Sequence, residues 1–187
     1  MRTRDLDKQQ RIKEAMIALI LQEGMNGASV AKIAKRAGVS PATIYVYYKN
    51  KEDMLEEVFN ECTRESYSYI SQRVYPQMSG KDLIDTLIRG IYIFASQRKE
   101  VFSFVEQCSA CPAFAESVHS HMECCIDVFD LIHEYQRKGI IRSFSDINIA
   151  GILFSPVKFL AVNKTSCADP EKELAELITM MQNLLLY

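Results

Sequence analysis

Residues 29 to 51 read SVAKIAKRAGVSPATIYVYYKNK. Two short periodic runs, VAKIAKRA and PATIYVYY, stand either side of Gly38 and Val39. In the first, Val30, Ile33, Ala34 and Ala37 recur at the three-and-four spacing of one helical face. Ser29 sits where a hydroxyl caps the first turn. Gly38 supplies the positive φ of a tight turn, which other residues resist. Ser40 caps again, and Pro41 falls at a first helical position, where its missing N–H costs nothing. A helix, a glycine turn and a second, stubby helix over about 41–48 make a helix-turn-helix, whose second helix can enter the major groove of DNA. The small side chains of Ser40, Ala42 and Thr43 permit close approach. Thr43 adds a hydroxyl for a phosphate or base and a methyl for a thymine methyl.

The three tyrosines of this stretch cannot share one helical face, because neighbours in sequence diverge by about 100°. Ile44 turns inward with Val39 and Ile33, and Tyr48, one turn on, joins it. Tyr47 faces away from that core, and Tyr45 sits at the edge, its hydroxyl within reach of a phosphate. Two tyrosines are thus read as DNA contacts and one as core.

Charge supports a polyanion partner for this end of the chain. Residues 1–52 hold ten Lys/Arg against five Asp/Glu, a surplus of five positive charges, while the remainder carries an excess of seven negative ones. A basic head on an acidic body directs nucleic acid to the head alone. The first residues, MRTRDLDKQQ, lack the apolar core of an export signal, and no apolar run reaches the ~18 residues of a membrane span. The expectation is a cytoplasmic protein with no membrane partner.

Outward from the motif the chain predicts helices and almost no strand. A first helix over about 5–23 carries Ile12, Ala15, Met16, Leu19 and Ile20 on one face and is broken by Gly24 and Gly27. Helices follow near 51–75, 81–97, 99–108, 112–138, 146–163 and 169–186. The fold class expected is all-α, about nine helices, with a DNA-binding domain over 1–52 and a helical domain over 53–187. Six irregularly spaced cysteines, two of them adjacent, predict reduced thiols rather than a disulfide framework. There is no phosphate loop or Ser/His/Asp set in motif context, so no enzyme activity and no cofactor is expected.

The segment ASVAKIAKRAGVSPATIYVYYKNKEDML resembles the DNA-binding signature of the tetracycline-repressor (TetR) family of bacterial regulators. The resemblance rests on Ile33-Ala34, Ala37-Gly38-Val39-Ser40, Ile44-Tyr45, Tyr47-Tyr48 and Lys51, with Tyr48 where the family usually has Phe. It implies that Ser29 and Lys32 touch phosphates, and that Ser40, Pro41, Ala42, Thr43 and Tyr47 line the groove-facing side. Tyr45 and Lys51 would clamp the backbone.

The family acts as homodimers, and the two closing helices have wide apolar faces that a monomer would expose. Leu153, Val157, Leu160, Leu174, Leu177, Ile178, Met181, Leu184 and Leu185 are the expected dimer interface, which predicts a pseudo-palindromic operator. The resemblance further implies a repressor with an effector cavity among the middle helices. Its expected lining is Cys62, Tyr67, Ile88, Ile91, Phe94, Phe102, Val105, Met122, Cys125, Phe129 and Phe154, a set suited to a mostly apolar small molecule. An alternative trigger is metal, haem or thiol oxidation where His119, His121 and His133 fall near Cys108, Cys111, Cys124 and Cys125. The single CxxC spacing there lacks the second pair of a convincing zinc site.

Overall fold

The computed structural model describes residues 2–109, 111, 126–163 and 168–187. Among these, nine helices form and no strand; one isolated bridge pairs Ile141 with Leu186. By packing, the chain divides into two compact units, Met1–Arg64 with Glu100–Val118, and Glu65–Lys99 with His119–Tyr187.

The first unit opens with α1 (Arg2–Gly27), α2 (Val30–Ala37) and α3 (Pro41–Tyr47). Ile12, Ala15, Met16, Leu19 and Ile20 of α1 are buried, as their spacing predicts. Gly24, at φ 74° and ψ 172°, breaks the helix before its last residues. α1 packs on α2, and α2 on α3. Both short helices are capped as read: the Ser29 hydroxyl accepts from the Lys32 N–H, and the Ser40 hydroxyl from that of Thr43. Between them Gly38 takes φ 67°, and the N–H of Val39 donates to the Ala34 carbonyl at 3.0 Å. A Cβ at residue 38 would be strained in that left-handed conformation.

α4 (Lys51–Ser71) begins in this unit and ends in the other. Its start is a reciprocal cap: the Asn50 side chain accepts from the Asp53 N–H at 2.7 Å, and the Asp53 carboxylate accepts from the Lys49 N–H at 2.9 Å. It stops short of the expected residue 75, where Arg73 and Val74 donate to the Ile70 and Ser71 carbonyls in tighter three-residue turns. A helix could not have run on to Tyr75 unhindered, because Pro76 disfavours helical geometry in the residue before it. α6 (Lys99–Ser109) completes the described part of the unit.

The second unit contains α5 (Gly80–Gln97), α7 (Ile126–Arg137), α8 (Asp146–Val162) and α9 (Pro170–Leu185). α5, α8 and α9 pack on one another. The Tyr135 hydroxyl of α7 donates to the carbonyls of Pro76 and Met78, holding the turn that precedes α5.

This packing buries much of the expected dimer face within the chain itself. Leu153, Val157, Leu174, Ile178, Met181 and Leu185 are buried inside the chain's own unit, while Leu160 and Leu177 are half-buried. A helix that is apolar almost all round does not say which side is inside, and α5 claims this one. Of the expected set only Leu184 is exposed. Beside Leu184, the large apolar side chains left open here are Ile147, Phe159 and Val162 on α8, with Met180 on α9 and Tyr187 just beyond it. Along α8 the outward stripe also holds Gly151 and Ser155, both exposed.

Among the described residues no helix is long and apolar enough to cross a membrane.

Candidate nucleic-acid interface

The surface of the motif is set by which side α2 gives to the core. Ile33, Ala34 and Ala37 turn inward, leaving Ser29, Lys32, Lys35 and Arg36 outside. On α3, Ile44 is buried and Tyr48 just beyond the helix is 6% exposed. Pro41, Ala42, Tyr45 and Val46 face solvent, together with the capping Ser40. Thr43 is half-buried, and its hydroxyl lies 2.9 Å from that of Ser40.

Tyr48 is the core tyrosine of the three. Burial pushes its phenol up to about 12, helped by the nearby carboxylates of Glu57, Glu61 and Asp53, so it stays neutral. Tyr45 is 56% exposed. Tyr47 is half-buried and donates its hydroxyl to Asp5 on α1 at 3.2 Å. Desolvation, then the hydrogen bond to Asp5 and its negative charge, hold that phenol above its usual range. The single O–H of Tyr47 is thus engaged by Asp5, and α1 fixes its direction.

The lysines are less free than their charge suggests. The Lys32 ammonium lies 2.5 Å from a Glu23 carboxylate oxygen and donates to the Gly27 carbonyl at 3.0 Å. Both side chains of that ion pair are exposed enough that the pairing is weak and exchangeable. Lys51 is the larger departure from expectation. Its ammonium donates to the backbone carbonyls of Met25 (2.9 Å) and Ala28 (3.0 Å), stapling the turn between α1 and α2. The start of α4 is already supplied with a carboxylate, that of Asp53. Lys51 holds the motif together rather than reaching out from it.

One outward residue escaped the sequence reading. Val46 is 76% exposed, on the same face of α3 as Ala42 one turn earlier. Its signal in the sequence is the four-residue step from Ala42. Lys49 beyond it is exposed as well.

The second unit encloses a small apolar cavity. Tyr67, Ile91, Phe129 and Phe154 line it, with Leu153 and neighbouring aliphatic side chains of α4, α5, α7 and α8. The Tyr67 and Phe154 rings meet edge to face at 6.4 Å. Its volume is about 20 Å³, room for about one water molecule. Ile88 and Phe94 do not line it: Ile88 turns to another side of α5, and Phe94 stacks against Tyr69 at 5.4 Å. Cys62, Phe102 and Val105 belong to the other unit. Met122 and Cys125 lie outside the described residues.

Of the Cys/His cluster, Cys124, Cys125, His119 and His121 also lie outside them. Cys108 is buried, and burial, then the neighbouring Cys111 and Cys62, push its thiol up to about 12. A thiol held protonated is a poor nucleophile and a poor metal ligand. His133 pairs with Asp146 at 2.7 Å. Among the described residues no three His, Cys, Asp or Glu side chains are placed to hold a metal ion.

Residues 12–58 match the family model described as bacterial regulatory proteins, tetR family. An uncharacterized HTH-type transcriptional regulator from Haemophilus influenzae is 26% identical over 168 residues, 90% of this chain and 87% of that protein. A TetR family transcription regulator from Marinobacter aquaeolei VT8 superposes with a TM-score of 0.85 at 24% identity, covering 100% of this chain and 99% of that one. The regulator FadR from Bacillus subtilis, solved in complex with stearoyl-CoA, shares the fold with a TM-score of 0.71 at 21% identity, covering 91% of this chain and 96% of that one. The motif, the fold and these likenesses agree: residues 12–58 are similar to the DNA-binding region of bacterial regulatory proteins of the tetR family, and α2 and α3 form the helix-turn-helix of that region.

Proposed function

We propose that this regulator is a homodimeric repressor that binds a pseudo-palindromic operator and leaves it when a small, mostly apolar effector enters the second unit. The observation that carries the DNA half is the outward surface of α3, standing in a segment with five surplus positive charges. Ser29, Lys32, Ser40, Pro41, Ala42, Thr43, Tyr45 and Tyr47 form its DNA contacts, Lys32 after exchanging Glu23 for a phosphate and Tyr47 after its hydroxyl releases Asp5. Lys51 acts from behind, by fixing the turn on which α2 is mounted. A protein working on the chromosome of a bacterium works in the cytoplasm.

The dimer half rests on the open stripe of α8 and α9. Phe159 at 71% exposure and Ile147 at 69% are large apolar side chains that a partner surface would bury. Gly151 and Ser155 between them would let a second helix approach closely. Pairing two copies there relates their recognition helices by a two-fold axis, and the operator inherits that symmetry.

The effector half rests on the chemistry of the cavity wall, aromatic and aliphatic throughout. At about 20 Å³ the cavity holds no effector as it stands, so binding must part the helices around it. α4 lines the cavity with Tyr67 and carries Lys51 at its other end. A shift of α4 would couple effector binding to the motif, and the effector would weaken DNA binding by preferring the parted form. Stearoyl-CoA, the ligand of the Bacillus subtilis neighbour, is a rational first probe, with free fatty acids as controls.

The experiment is selection of duplexes from a genomic pool on the purified full-length chain, followed by footprinting. An inverted repeat protected on both halves supports the reading. Absence of any protected site at low salt removes it.

A further inference from the structure

α3 reads PATIYVY and carries no Arg, Lys, Asn, Gln, Asp or Glu. It therefore has no bidentate partner for guanine or adenine and no carboxylate acceptor for the cytosine amino group. Its capping hydroxyls are also engaged. Ser40 Oγ accepts from the Thr43 N–H at 3.2 Å, and the two hydroxyls lie 2.9 Å apart. What projects from the helix is apolar: Val46, 76% exposed, and Ala42 one turn before it, with the Tyr45 ring alongside. A β-branched apolar side chain that exposed has nothing to pack on within its own chain.

Charge says what covers it. Lys35, Arg36 and Lys49, all exposed, lie in sequence on either side of α3, in the basic segment of the chain. This is an apolar face set among cations, suited to a polyanion. On the floor of the major groove one base alone presents an apolar group, the 5-methyl of thymine.

We infer that α3 reads its half-site chiefly through thymine 5-methyl groups, with Val46 as the specificity-determining contact and Ala42 beside it. The inference rests on the DNA-binding reading above and says which base chemistry that reading uses. Hydrogen bonds to bases are few, so phosphate contacts set register and methyl contacts set sequence.

The test takes a duplex retained by the full-length protein and resynthesises it with deoxyuridine for thymidine, one position at a time. Deoxyuridine keeps the Watson–Crick pair and removes only the methyl. Binding is followed by fluorescence anisotropy at fixed salt. The expected result is one or two thymines per half-site where loss of the methyl weakens binding about fourfold, the worth of one buried methyl-sized group. At the position facing Val46, the Val46→Ala protein should lose that sensitivity while unfolding at the same temperature, since residue 46 is a solvent-facing helical position. Retained duplexes that tolerate deoxyuridine everywhere, or a Val46→Ala protein with its methyl sensitivity intact, would overturn the methyl readout and leave the regulator reading standing. A pool from which no duplex is retained would remove both.

Discussion

Replacing Lys51 with Met separates a residue that staples the motif from one that grips phosphate. The structure gives the ammonium two backbone carbonyls, Met25 at 2.9 Å and Ala28 at 3.0 Å, in a half-buried position. Hydrogen bonds to a charged group contribute about 1.5–3 kcal/mol each, and carbonyls at this turn regain part of that from water. The net loss expected is about 2–3 kcal/mol. For a chain of this size 1 kcal/mol moves the midpoint by roughly 2–4 °C, so thermal unfolding should shift down by about 5–10 °C. DNA affinity should fall because the mounting of α2 is loosened, but the dependence of log K on log salt should keep its slope. A lysine that neutralised a phosphate would behave oppositely, lowering that slope by about 0.9 with little effect on stability. Circular dichroism melts and a salt titration on one duplex decide between them. An unchanged melt with a reduced slope would refute the staple.

Three further outcomes are expected. Phe159→Glu should leave the proposed dimer monomeric in equilibrium sedimentation with its helical content intact, whereas Leu153→Ala, at a buried position, should cost about 2–5 kcal/mol and leave association intact; a dimer unmoved by Phe159→Glu would discard the outward stripe as the interface. Glu23→Gln removes the carboxylate charge paired with Lys32 and should tighten binding to all duplexes by up to about 1 kcal/mol, in proportion to the value of an exposed ion pair. Cys108, raised to about 12 in the folded chain, should resist alkylation near pH 8 more than the partly exposed Cys111. The same shift makes folding lose stability as pH climbs above the ordinary thiol range toward 12, because only the unfolded chain ionises that thiol there; mass mapping of alkylated peptides and melts at pH 8 and 10 check both.

What could be read from the sequence was what acts locally. Ser29, Gly38, Ser40 and Pro41 fix caps and a turn within three or four residues of themselves, and the structure shows each in that role. Tyr48 was legible as core because it stands one turn from Ile44. Lys51 was not, because its partners lie 23 and 26 residues away on the backbone, which carries no residue-specific signal. The closing helices were read as apolar and helical, but α8 is apolar on nearly every side. Which side faces inward depends on α5 and α9, and so Leu153 and Val157 went inside while Phe159 stayed out. The cavity followed the same logic: Ile91 and Ile88 are equally apolar and both buried, and only the packing of α5 against its neighbours puts one of them on the cavity wall.

The central claim is that the outer surface of α3 lies against DNA. Ala42→Glu tests it most directly, because residue 42 is exposed and a carboxylate there leaves the core of the motif untouched. Placed on a groove floor between phosphates, that charge should cost at least ~100-fold in affinity for any duplex the protein retains, with the melting temperature unchanged. Undiminished binding by the Ala42→Glu protein would contradict the account.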